Sequence, residues 1–207
     1  MSFYRDHVLP RLIDVIMRAN HLDDLRARVA SKLTGDVLEI GFGSGLNVPF
    51  YPDGVTRVWA LDPATVGRGL AAPRVAASRA PVEYIGLDAQ RIPLPDGRVD
   101  SVLTTWTLCT IPDVAQALAE VRRVLRPGGT LSFVEHGRSP DLAVARTQRR
   151  LEPLQSAVFG GCKLTRPIDQ LITASGLELT GLKQYYQPGL RATSYTYEGQ
   201  ARRTDRT

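Results

Sequence analysis

Val37-Leu38-Glu39-Ile40-Gly41-Phe42-Gly43-Ser44-Gly45-Leu46-Asn47 is the stretch whose reading decides the fold. Its first four residues suit a strand buried on both faces, and they run without a break into three glycines at alternate positions. Glycine is needed where a backbone turns with positive φ or where a ligand must come close to the main chain. Behind a buried strand, that spacing points to a ligand lying across the loop, although a turn that is merely tight would use the same residues.

Working outward, short apolar runs recur at Val58–Leu61, Val82–Leu87, Val99–Thr104 and Leu131–Glu135. Helical patterns or turn-rich connections separate them. The clearest helix is expected from Asp113, an N-cap, to Leu125, with Val114, Leu118, Val121 and Leu125 as its buried stripe. Arg126-Pro127-Gly128-Gly129 should end it in a turn. Upstream, residues 4–33 read as one or two amphipathic helices, with Val8, Leu12, Val15 and Ile16 on one face and Leu22, Leu25 and Val29 on another; Gly35 is expected to end the helix and start the turn into the first strand. Downstream, helices are expected over 141–157 and 165–175, a strand over 177–183, and a last strand within 193–200. The chain thus divides into a helical segment (1–34), one α/β domain (35–200) and a frayed tail (201–207).

Strands apolar on both faces, alternating with helices, imply a Rossmann-like, mostly parallel sheet covered by helices on both faces. Such a sheet binds its ligand at the carboxyl ends of the strands. The residues of interest are therefore 41–47, 62–63, 88–90, 105–109 and 136–138.

Those edges narrow the ligand. A dinucleotide loop wants its third glycine at the sixth position, where this chain has Leu46. Glu39, two residues before Gly41, would repel a pyrophosphate and attract a sulfonium or an α-ammonium. Asp62, in Leu61-Asp62-Pro63, can accept both hydroxyls of a ribose; it can equally cap a helix beginning at Ala64. Asp88 and Ala89 can meet an adenine edge, or Asp88 can simply cap its loop. Asn47, Pro63 and Thr105 stand at the same edge and complete the expected cofactor set.

Composition sets the limits. The 207 residues suffice for one domain with a full core. Hydrophobic residues make up 43% and charged ones 23%, which argues against disorder. No run approaches the roughly 18 apolar residues of a membrane span, and no signal peptide is apparent, so a cytoplasmic location without integral membrane association is expected. The net charge of +5 is carried almost entirely by arginine. The clusters Arg146, Arg149, Arg150 and Arg202, Arg203, Arg206 lack aromatic interleaving, so no nucleic-acid partner is expected. The two cysteines, Cys109 and Cys162, form no disulfide framework and no zinc-type spacing with histidine, so no metal is expected.

Taken in order, the Val37–Gly45 stretch, Leu61-Asp62-Pro63, Asp88-Ala89 and Leu125-Arg126-Pro127-Gly128-Gly129 resemble the class I methyltransferase superfamily over about residues 35–137. That resemblance implies a seven-stranded sheet with one reversed strand, S-adenosylmethionine as cofactor and S-adenosylhomocysteine as product. Phe50-Tyr51-Pro52, Thr107-Leu108-Cys109, Val134-Glu135-His136 and Gly161-Cys162-Lys163-Leu164-Thr165-Arg166 are similar to the methyltransferase-like thiol S-methyltransferases and their bacterial relatives. This narrower likeness implies a small-molecule thiol or sulfide as methyl acceptor. C-, O- or N-methylation of a quinone, phenol or phospholipid amine is the alternative within enzymes. A non-catalytic S-adenosylmethionine-binding module is the alternative outside them.

On this reading His136 is the candidate catalytic residue, because a thiol is mostly protonated at neutral pH and imidazole is the usual base there. A structural, hydrogen-bonded His is the competing role. Trp106, Cys109, Cys162 and Arg166 are the candidate acceptor-binding residues, with Phe159 beside them; an inert buried thiol is the other role open to Cys109.

Overall fold

A computed structural model of the chain describes residues 9–63 and 65–204. Two helices, α1 (Leu9–Ile16) and α2 (Asn20–Ala30), lead into β1 (Gly35–Ile40). There follow a 3-10 turn (Val48–Phe50), β2 (Val55–Leu61), α3 (Thr65–Ala76), β3 (Val82–Gly86), β4 (Val99–Thr105), α4 (Val114–Val124) and β5 (Leu125–His136). The last third is α5 (Leu142–Val158), α6 (Ile168–Ala174), β6 (Leu177–Tyr186), α7 (Arg191–Ser194) and β7 (Tyr195–Arg203).

The strands form one seven-stranded sheet in the order β3-β2-β1-β4-β5-β7-β6. Neighbours from β3 to β5 run parallel, and β7 is antiparallel to both β5 and β6. The order reverses beside β1, where β2 departs to one side and β4 to the other. Ligands bind at such a switch point, which puts the glycine loop after β1 at the centre of the carboxyl edge.

Alternation along the strands feeds two cores. Leu38, Ile40 and Val102 face one side, with Leu118 and Val121 of α4 and Ile168 and Ile172 of α6. Val37, Ala60, Leu103 and Val134 face the other, with Leu25 and Val29 of α2 and Ala71 of α3. Each fully buried leucine or valine contributes about 1.5–3 kcal/mol by leaving water. Asp113 caps α4 by accepting from the Gln116 N–H, as its position predicts.

The structure departs from the sequence reading at five places. In α1 the face holding Leu12, Val15 and Ile16 is exposed, and Leu9 and Asp14 are the buried residues; Val8 lies outside the described residues. Asp14 accounts for this, since it turns inward to pair with Arg18 and Arg74. Gly35, at φ +64°, opens β1 rather than closing a helix, because α2 already ends at Ala30. Helix α3 has no clear pattern in the sequence because Gly67, Gly69 and Pro73 all disfavour a helix interior. The expected turn at Arg126–Gly129 is instead taken into β5, where the pairing jumps from Val99↔Leu125 to Ser101↔Thr130. The expected frayed tail also begins too early: Ala201 is fully buried, and β7 pairs with β6 through Arg203. Residues 205–207 lie outside the described ones.

Among the described residues no helix is long and apolar enough to cross a membrane. An open apolar groove of about 250 Å³, lined by Leu151, Leu154, Gln155, Val158, Phe159 and Thr193, runs beside the end of α5.

Candidate active site

The loop after β1 turns through three left-handed glycines, Gly41 at φ +77°, Gly43 at +53° and Gly45 at +72°. Gly41 is also sterically fixed, because a Cβ there would lie 1.9 Å from Thr107 Oγ1. The turn points the Gly43 N–H at Asp62, whose Oδ2 accepts it at 2.8 Å. Asp62 is thereby held against the loop at the end of β2. Arg74 of α3 donates to the Ser44 carbonyl at 2.8 Å and also reaches Asp14 of α1, so two helices brace the loop from behind.

Beneath the loop, Glu39 is buried and accepts from Asn47 Nδ2 at 2.9 Å and from the Tyr51 hydroxyl. Asn47 Nδ2 also donates to Thr105 Oγ1 at 3.0 Å, tying the loop after β1 to the end of β4. Burial pushes the Glu39 carboxyl up to about 7, opposed by those hydrogen bonds and by Arg26. Asn47 Oδ1 is buried with no hydrogen-bond partner. A buried carboxylate beside an unanswered amide oxygen is a site short of donors and positive charge, which an ammonium or sulfonium group would supply. The expectation of a cation-accepting end next to Glu39 therefore fits these residues.

Asp88 differs from Asp62. It is exposed, and its Oδ1 accepts from the Gln90 N–H at 2.9 Å and from Gln90 Nε2 at 3.0 Å. These bonds, the side-chain one first, hold its carboxyl below the usual range. The loop-cap role open to Asp88 in the sequence is thus filled. Ala89 is buried behind it, and Pro63 is exposed beside Asp62.

The loop after β4 carries the acceptor candidates. Trp106 adopts φ +51°, the one positive value among the described non-glycine residues, and its N–H donates to the Val134 carbonyl at 2.7 Å. Strained backbone of this kind persists only where its surroundings hold it. Here Glu135, fully buried, accepts from the N–H groups of Thr107 at 3.1 Å and Cys109 at 3.3 Å. Burial raises its carboxyl to about 7 against the pull of the N–H groups of Leu108, Thr107 and Cys109. From the other side Arg166 donates to the Leu108, Ile111 and Pro112 carbonyls. Arg166, expected to touch the acceptor, instead has its guanidinium engaged by the loop, because it is nearly buried and those carbonyls need donors. Glu135, not singled out as a site residue from sequence, is its acidic counterpart. The available signal was a carboxylate at the end of an otherwise apolar strand.

Arg26 of α2 lies 5.1 Å over the Trp106 ring, and the His136 ring stands 6.5 Å from the same indole. His136 ends β5 and is half-buried. Folding brings it to Cys109 and Cys162, whose sulfurs are 3.5 Å apart, with His136 Nδ1 3.9 Å from Cys162 Sγ. Phe159 packs on the two cysteines. The Cys162 thiol is lowered by its hydrogen bond with Cys109 and then by His136, while the same bond and burial raise Cys109. Among the expected acceptor residues the structure therefore groups Trp106, Cys109, His136 and Cys162, and places Arg166 behind them.

A Rossmann-like sheet with one reversed strand, a glycine loop at its switch point and a carboxylate just after β2 is the arrangement in which such folds hold a nucleotide-type cofactor at the carboxyl edge. Residues 38–133 match the methyltransferase domain family. An S-adenosylmethionine-dependent methyltransferase of Thermotoga maritima shares the fold with a TM-score of 0.71 over 98% of both chains, at 20% identity. Over that stretch, and in its fold, the chain resembles the class I S-adenosylmethionine-dependent methyltransferases. More narrowly, it is 39% identical to human thiol S-methyltransferase TMT1B over 136 residues, 63% of this chain and 54% of that protein. It is 30% identical to phosphatidylethanolamine N-methyltransferase of Cereibacter sphaeroides over 130 residues, 57% and 60% of the two chains. The chain thus spans little more than half the length of these curated relatives.

Proposed function

We propose that this chain transfers the methyl group of S-adenosylmethionine to a small-molecule thiol or sulfide. The observation that carries the acceptor class is the Cys109–His136–Cys162 cluster at the carboxyl edge, together with the likeness to the thiol S-methyltransferases. On this reading Gly41, Gly43 and Gly45 let the cofactor approach the main chain, Asp62 with Pro63 receives the ribose, and Asp88 and Ala89 flank the adenine. Glu39, Asn47 and Thr105 form the end that accepts the charged amino-acid portion.

S-adenosylmethionine, held by Gly41, Gly43, Gly45, Asp62 and the Glu39–Asn47–Thr105 end, would supply an electrophilic sulfonium methyl, which an acceptor sulfur would take by forming a C–S bond as the methyl–sulfonium bond broke, its electron pair going to the thioether leaving group. The chain's own part is placement and ionisation. Holding donor and acceptor in line supplies much of such an acceleration. Glu135 and Arg166 fix the loop that bears Trp106 and Cys109, and Trp106 forms the apolar wall of the acceptor pocket. His136 promotes loss of the acceptor's proton, which matters because a free thiol titrates near 8.5.

The likeness to a phosphatidylethanolamine N-methyltransferase favours a second reading, transfer to a lipid amine. Incubation with labelled cofactor against alkyl thiols, sulfide, quinols and ethanolamine lipids separates the two. Label in thioether is the expected outcome. Label in quinol or lipid amine with none in thioether would refute S-methylation, and cofactor binding without turnover on any acceptor would favour a non-catalytic module.

A further inference from the structure

We infer that Cys109, His136 and Cys162 form a binding site for one zinc-type divalent cation, with a fourth position open to the sulfur of the acceptor. The fourth-ligand part rests on the thiol reading above; the three-ligand site does not.

The geometry is the first reason. One donor atom from each of the three residues lies within 4.8 Å of the other two. Tetrahedral zinc, with Zn–S about 2.3 Å and Zn–N about 2.0–2.1 Å, requires S···S of about 3.7 Å and S···N of about 3.5 Å. The observed 3.5 Å between the sulfurs and 3.9 Å from Cys162 Sγ to His136 Nδ1 differ from those values by only a few tenths of an ångström. Two thiolates and an imidazole are a borderline-soft donor set suited to zinc, and the thiolate charges neutralise a divalent ion in a buried place.

Rigidity is the second reason. The cysteines come from separate segments, and each is fixed by bonds that do not involve its sulfur. Gly161, at φ +97°, turns the chain just before Cys162, and the Cys162 N–H donates to the Phe159 carbonyl at 3.2 Å. The next N–H, of Lys163, donates to the Cys109 carbonyl at 2.9 Å, stitching the segments together directly. On the other side Glu135 holds the Cys109 N–H. A metal site needs this kind of preorganisation of its ligands.

Three protein ligands are one fewer than a structural zinc site has, and they match a site that keeps a position for substrate. Cys109 and Cys162 are buried, whereas His136 is partly exposed on the Trp106 side. A thiol that reaches the ion gives its S–H proton to solvent and binds as thiolate. In the loaded protein His136 therefore promotes ionisation by holding the cation, and the thiolate stays available to the methyl group.

The test uses the full chain, stripped of metal under reducing conditions and titrated with Co²⁺ as an optical stand-in for Zn²⁺. Thiolate-to-cobalt charge-transfer absorption should grow to one equivalent and disappear when one equivalent of Zn²⁺ is added. Cys109→Ser and Cys162→Ser should each weaken or abolish the band, and His136→Ala should weaken Co²⁺ affinity at least tenfold. Circular dichroism and cofactor calorimetry on each variant separate loss of the site from loss of the fold. Absence of the band in the native chain overturns the site, as does a 109–162 disulfide forming under conditions where the ion should protect both thiols. Adding an alkyl thiol to the Co²⁺-loaded chain should shift the ligand-field bands. A full charge-transfer band with no such shift overturns the open fourth position alone, and product assays with the thiol panel judge S-methylation independently.

Discussion

The two halves of the carboxyl edge are built differently. The proposed cofactor half takes Glu39, Gly41, Gly43, Gly45, Asn47 and Tyr51 from one short segment, with Asp62 a strand away. The proposed acceptor half takes Trp106 and Cys109 from one loop, Glu135 and His136 from the end of β5, and Cys162 and Arg166 from another loop, three segments distant in sequence. A contiguous loop can be specified by local backbone demands, and its chemistry is written in residue spacing. A convergent cluster depends on register and loop closure across the whole sheet, so its chemistry exists only after folding.

The halves touch where Gly41 meets Thr107, and that contact offers the strongest way to break the comparison. Gly41→Ala would force a Cβ into the Thr107 side chain at a left-handed position. Strain and displacement of both loops should weaken cofactor binding by about 3 kcal/mol or more, with a lower melting temperature. If calorimetry found native affinity, the two loops would be independent and the division into interlocked halves would be wrong.

The acceptor half alone is probed by His136→Ala. Turnover of a thiol should fall by about a hundredfold near pH 6.5, and by much less near pH 9, where the thiol ionises unaided. Cofactor affinity should stay within about twofold of native, since His136 has no place in the cofactor half; the factor corresponds to about 0.4 kcal/mol. An equal loss of turnover at both pH values would assign His136 a purely structural role.

Asp62→Ala is the converse. It removes the acceptor of the Gly43 N–H and a charged partner for ribose hydroxyls, so cofactor affinity should drop by about 1.5–3 kcal/mol. Metal binding at the cysteine–histidine cluster should not change. Calorimetry with each ligand reads both effects in one variant.

These contrasts also explain what the sequence disclosed. The parallel strands, the capped helix α4 and the glycine loop were legible because each obeys a local rule: apolar runs, an Asp at the N-cap, glycine where φ is positive. The class of cofactor followed from Glu39, Leu46 and Asp62 for the same reason. What stayed hidden was non-local. Nothing near Arg166 shows that carbonyls at 108–112 will take its guanidinium, and no Cys-to-His spacing signals that Cys109 and Cys162 flank one another. The first helix misled in another way: Leu12, Val15 and Ile16 follow helical periodicity, but Asp14 on the opposite face finds Arg18 and Arg74, and those ion pairs turn the apolar face outward.

Glu39→Gln measures how far the cofactor half trades stability for charge. The carboxyl is raised from an ordinary 4.5 to about 7, so the folded chain disfavours its charged form. The stability that comes from keeping it neutral is complete below about 4.5 and is lost as pH rises through about 7. The amide never ionises. At about pH 8 the variant should therefore be more stable than the native chain by on the order of 2–3 kcal/mol, and near pH 4.5 the difference should vanish. Its cofactor affinity should fall, because the buried charge that costs stability is the one that attracts an ammonium. Equal melting temperatures at both pH values would mean that Glu39 does not carry that burden.

Asp88→Ala should have the smallest effect, and it tests whether the cofactor half is as contiguous as it looks. The Asp88 carboxylate is exposed and already bonded to Gln90, so its bond to an adenine amino group would compete with water and with that cap. A hydrogen bond in such surroundings is worth about 0.5–1.5 kcal/mol, against the larger value for the buried Asp62. Affinity should therefore fall less than in Asp62→Ala, with loss of the loop cap lowering the melting temperature slightly. A loss equal to that of Asp62 would show that the loop after β3 closes on the cofactor and desolvates Asp88. The cofactor half would then share the dependence on folding that marks the acceptor half.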